Sequence, residues 1–100
     1  MNNDRWIRIA NEFGTDLSSR TRARHLRRRI AAAIDSGCAP VTVDLAGVRT
    51  LSNSFADEAF AVLVHDRSER WFDSNVRFVG ESEHVKTSIA SAIAYRCEPA

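Results

Sequence analysis

Ser52, Asn53 and Ser54 stand between a short apolar run and a segment that opens with Phe55, Ala56, Asp57 and Glu58. A hydroxyl at a helix start has two uses. It accepts a backbone N–H and caps the helix, or it stays free to meet a partner or take a phosphoryl group. Both uses are favoured there, because the first turn exposes unpaired N–H groups and a partial positive charge. Ser54 followed three residues later by Asp57 has the spacing of a capping box with Asp in place of Glu. Ser54 is therefore the expected N-cap and also the first phosphoacceptor candidate, while Ser52, further into the loop, is the second. Asp57 and Glu58 suit the helix dipole, with contact to a basic patch on a partner as their alternative role.

The remaining reactive side chains are scattered. His25, His65 and His84 fall on three different predicted helices, so they offer neither a two-histidine metal spacing nor a base beside a nucleophile. Cys38 and Cys97 match no metal-ligand spacing. Gly14, Gly37, Gly47 and Gly80 are isolated turn glycines and form no phosphate-cradling loop. No catalytic residue, metal or cofactor is expected. Arg20, Arg22, Arg24, Arg27, Arg28 and Arg29 form a basic cluster that can neutralise nucleic-acid phosphates. No aromatic platform accompanies them, and the pI is only about 7.9. They are expected to form a solvated helix face that pairs with acids of the second half or of a partner, which makes a nucleic-acid regulator the alternative function.

These groups need elements to hold them. Residues 5–10 alternate polar and apolar like an edge strand. From about residue 17 to 34, apolar positions Leu17, Ala23, Leu26, Ile30, Ala33 and Ile34 trace one helix face, which Gly37 and Pro40 bring to an end. Residues 41–45 read as a buried strand, with Asp44 pointing at the edge or bonding a neighbouring turn. A second helix runs from Ser54 to about Arg67 with Phe55, Ala59, Val62 and Leu63 inward, and Trp71 and Phe72 follow as core or interface anchors. Residues 73–75 read as a turn and residues 76–79 as a third strand. Glu81, Ser82, Glu83 and His84 open a last helix whose core positions are Val85, Ile89, Ala92 and Ile93. The order β-α-β-α-β-α implies a mainly parallel sheet packed by helices, an α/β fold in a single domain over residues 1–100.

Bulk properties agree. A chain of 100 residues with 44% apolar content can form one core but no deep, insulated active site. The net charge of +1 favours no polyanion, although residues 1–40 carry +4 and residues 41–100 carry −3. Neither a leader nor an apolar span of about 20 residues is present, and the scattered cysteines suit reduced thiols. A cytoplasmic location away from membranes is expected.

Val43, Asp44, Leu45, Gly47 and Val48, followed by Ser52, Ser54, Phe55, Ala56, Asp57 and Glu58, resemble the STAS-like domains of bacteria. These are short relatives of the sulfate-transporter and anti-sigma-factor-antagonist domain. The likeness extends to Leu17, Ser18, Ser19 and Arg20, to residues 76–79, and to Ile89, Ala92, Ile93 and Arg96. It implies a small STAS-like fold and a non-enzymatic regulatory role, docking on an ATPase-fold serine kinase or anti-sigma-type partner. By position Ser54 matches the family phosphoacceptor, with phosphate blocking docking. The family usually has Gly after that serine, where this chain has Phe55. The docking face implied is Asn53, Phe55, Asp57 and Glu58, with Arg20 anchoring nearby. A homodimer or homo-oligomeric module is the third arrangement considered.

Overall fold

The computed structural model describes residues 5–98. Its main sheet has three parallel strands in the order β1 (Trp6–Arg8), β3 (Val41–Asp44) and β5 (Val76–Val79). Ile7 lies opposite Val43, and Val43 opposite Phe78, so one face gathers Ile7, Val41, Val43, Val76 and Phe78 against the helices. The alternate positions Trp6, Arg8 and Arg77 are exposed. This mixed α/β, mainly parallel architecture is the one that the hydrophobic periodicity predicts.

The differences lie in short elements. The expected strand 5–10 stops at Arg8, because Ile9 turns inward, fully buried, to begin helix α1 (Ile9–Phe13). Leu17 belongs to a two-residue strand, β2 (Asp16–Leu17), and the long helix α2 (Arg20–Asp35) starts after the Ser19 cap. Strand β2 pairs in parallel with β4 (Thr50–Leu51), setting Leu17 against Leu51. The expected turn at 73–75 is the last turn of helix α5 (Glu69–Asn75), which buries Phe72. Trp71 is half-buried, with the Arg67 guanidinium 4.6 Å from its ring centroid. Of the two roles expected for Asp44, the structure shows the second: its Oδ1 accepts from the Ala46 N–H at 3.0 Å, closing the turn after β3.

The second predicted helix is a composite rod. Helix α3 (Asn53–Ala56) passes into a π-helical turn (Asp57–Ala61) and then into α4 (Val62–Asp66). Ala59, Phe60 and Ala61 of the π turn are fully buried. The rod packs between α2 and the last helix, α6 (Glu83–Cys97). That sandwich places the start of α2, the start of α3 and the end of α6 side by side. No described helix is long and apolar enough to cross a membrane.

Candidate functional site

Among the described residues, four helices begin with a serine whose Oγ accepts a backbone N–H three residues on. Ser19 takes it from Arg22, Ser68 from Trp71 and Ser82 from Val85, at 3.0–3.2 Å. For α3 the capping serine is Ser52, which accepts from Phe55 N–H at 3.1 Å. The expected N-cap at Ser54 is thus corrected. Ser54 lies inside the first turn, and its hydroxyl makes no hydrogen bond among the described residues. The Ser52 Oγ is engaged as an acceptor, whereas the Ser54 hydroxyl is free.

The position of Ser52 is set by the β2–β4 ladder. Ser52 N–H donates to the Leu17 carbonyl at 2.8 Å, and Arg49 N–H donates to that of Thr15 at 2.8 Å. Asp16 reinforces the ladder, accepting from Arg49 Nη2 at 2.9 Å and from Thr50 Oγ1 at 3.0 Å. Because the two strands end at Leu17 and Leu51, the caps Ser19 and Ser52 stand close together. Arg20, the first residue of α2, therefore reaches the rod.

There it meets both acids. Arg20 Nη1 donates to Asp57 Oδ2 at 3.1 Å and to Glu58 Oε1 at 3.2 Å. Arg96 from α6 forks onto Asp57, Nε to Oδ1 at 2.6 Å and Nη2 to Oδ2 at 2.7 Å. Glu58 also pairs with Arg27, whose Nη1 donates to its carboxylate and backbone carbonyl, and with Arg24 at 3.7 Å. The two acids thus tie α2 and α6 to the rod between them. Arg96 and then Arg20 hold the Asp57 carboxyl below its ordinary value. Burial pushes the Glu58 carboxyl upward, but Arg27 and Arg20 outweigh it and the net direction is down. Arg20 and Arg96 are raised in turn, chiefly by Asp57.

Ser54, Asn53, Asp57 and Arg20 line a surface groove of about 500 Å³, closed on the far side by Ser91, Ala92, Tyr95 and Arg96 of α6. The first four are residues that the sequence places at a site, whereas nothing in the sequence marks the α6 wall as part of it. Phe55 requires correction as a docking residue: it is 0% exposed and fills the core, so its side chain cannot reach a partner. Glu58 faces the α2 arginines rather than the groove. Among the described residues, no group of three His, Cys, Asp or Glu is placed to hold a metal ion.

Residues 22–86 match the profile of a family described as a STAS-like domain of unknown function. The chain belongs to this family. Among curated proteins and among solved structures, no significant match is found. The STAS-like match contains the cap, Ser54 and both acids, whereas Arg20, Tyr95 and Arg96 fall outside it. The arginine half of this groove therefore belongs to residues beyond the matched STAS-like segment.

Two expected outcomes follow from the geometry. Ser52→Ala removes the cap and costs roughly 1 kcal/mol, whereas Ser54→Ala stays within about 0.5 kcal/mol of wild type; urea unfolding of both variants checks this. For Asp57 the folded value lies below the ordinary 3.8, so its ion pairs stabilise the fold above that value. That contribution fades as pH falls through the lowered folded value. Asp57→Asn is expected to be less stable than wild type at pH 7, with the gap narrowing below about pH 4, as urea midpoints between pH 7 and pH 2.5 would record.

Proposed function

We propose that this STAS-like chain is a non-enzymatic regulatory module that docks on a protein partner through the Ser54 groove. The partner class is an ATPase-fold serine kinase or anti-sigma-type regulator, and phosphorylation of Ser54 switches docking off. One observation carries the reading. Ser52 caps the helix, so Ser54 keeps an unengaged hydroxyl in a groove walled by two arginines.

The acids raise an electrostatic question, because Asp57 and Glu58 lie three and four residues after Ser54 on the same helical face. Unpaired, they would repel a phosphate of about −2 charge. Both are engaged by arginines instead, and Arg20 and Arg96 stand beside Ser54 as phosphate-pairing groups. The arrangement accommodates charge at Ser54 better than the bare sequence suggests. The nucleic-acid alternative is weakened by the same pairing. Arg20, Arg24 and Arg27 bond the rod, while Arg22 and Arg29 bond Glu12, leaving Arg28 as the α2 arginine without a partner among the described residues. Tandem mass spectrometry of the protein recovered from its native cells tests the switch: phosphate is expected on Ser54. Phosphate confined to Ser52, or absent from both serines under all growth conditions sampled, would remove it.

A further inference from the structure

The arginines around the groove outnumber the acids they serve. Arg20 and Arg96 line it with Asp57 as the one acid, an excess of one positive charge, and Glu58 beside it is engaged by Arg24 and Arg27 as well as by Arg20. Their donors are not all spent either. Arg20 uses only Nη1 on the two acids, and Arg96 uses Nε and Nη2 on Asp57. Each guanidinium has five N–H donors, so Arg20 Nε and Nη2 and Arg96 Nη1 remain without a bond among the described residues. The two side chains are 50% and 37% exposed and line the same groove. Tyr95, on the same wall, is 84% exposed. Tyr and Arg are the residue types over-represented among binding hot spots, where an aromatic body and a fork of donors act together.

We propose that the groove seats an aspartate or glutamate side chain from an acidic segment of the protein partner, forked by the spare donors of Arg20 and Arg96 beside Tyr95. The proposal rests on the docking reading above and specifies the chemistry of what docks. It also gives phosphorylation a direction. A phosphate on Ser54 takes the same donors in cis that the partner carboxylate needs in trans, so the two exclude each other. A carboxylate suits the site better than a nucleic-acid strand. The groove is short, Asp57 lies within it, and Tyr95 is the sole aromatic ring in its lining, whereas single strands use a run of stacked bases along a basic track.

The test uses the full chain and a displayed library of random twelve-residue peptides, with selection at physiological salt. Selected peptides are expected to be enriched in Asp and Glu and to shift the Arg20, Tyr95 and Arg96 signals in NMR spectra. They are expected to lose at least about tenfold in affinity on the R20Q/R96Q double variant, with Tyr95→Ala weakening them less. Peptides without acidic enrichment, or bound equally by R20Q/R96Q, would overturn the proposal. So would a twelve-nucleotide oligothymidine that binds more tightly than any selected peptide. Repeating the measurement with phosphoserine installed at position 54 separates the two readings. Lost peptide binding supports both, whereas retained binding that still depends on Arg20 and Arg96 supports the acid seat and removes the phosphoswitch.

Discussion

Phe60→Ala is expected to cost about 3–5 kcal/mol, the usual range for emptying a buried aromatic site. Phe60 is 0% exposed and meets Phe78 of β5 edge-on, with centroids 5.0 Å apart and an interplanar angle of 89°. Phe72 also lies near Phe78, with centroids 5.9 Å apart, so the ring removed belongs to a three-ring cluster that ties rod, sheet and α5 together. A domain of this size has only about 5–15 kcal/mol in total. The variant should therefore lose a large share of its stability and unfold at a markedly lower temperature, while Phe60→Leu, which keeps most of the volume, should lose much less. Thermal unfolding followed by circular dichroism distinguishes them. The functional link is direct, because Phe60 sits two residues after Glu58 in the π turn that presents both acids. Filling the core and aiming the arginine anchors are two faces of one turn.

Gly80→Ala should be the most damaging of the four glycine-to-alanine substitutions. Gly80 ends β5 with φ +73°, a left-handed conformation that costs a residue with a side chain roughly 1–3 kcal/mol. Space is short as well. A Cβ there would lie 2.8 Å from Ala46 N, 2.9 Å from Ala46 Cβ and 3.0 Å from Asp44 Oδ1. Those atoms form the Asp44–Ala46 turn that leaves β3, and Leu45 N–H donates to the Val79 carbonyl at 2.8 Å just beside it. The turn leads through Gly47 to β4 and the Ser52 cap, so the damage should travel to the groove. Hydrogen exchange should show lost protection at Phe55 N–H, the Ser52 cap bond, in addition to a lower unfolding midpoint.

The long elements were legible because their apolar spacing is strong. Val41 and Val43 alternate with half-buried Thr42 and Asp44, and Ala23, Leu26, Ile30, Ala33 and Ile34 keep helical period. Strands β2 and β4 have two residues each, too few for any period to register, yet they fix the register of both caps. The capping serine was misread because Ser54 and Asp57 imitate a capping box. Another signal in the sequence favours Ser52. Apolar Leu51 before the cap and Ala56 four residues after it form the pattern of a hydrophobic staple, whereas the same positions around Ser54 are Asn53 and Glu58. Arg96 and Tyr95 were missed for a topological reason. They lie about 40 residues from Ser54, and only the packing of α6 on the rod brings them to the groove. The π turn has no sequence period of its own and was read as ordinary helix.

The most direct measurement is the affinity of the wild-type chain and of the chain carrying phosphoserine at position 54 for whichever protein co-purifies with it, the proposal expecting an ATPase-fold protein. Isothermal titration calorimetry reads both. The phosphorylated chain is expected to bind at least about tenfold more weakly, with Ser52→Ala folded and binding like wild type. Equal affinity for the two chains, or lost binding that follows Ser52 rather than Ser54, would contradict it.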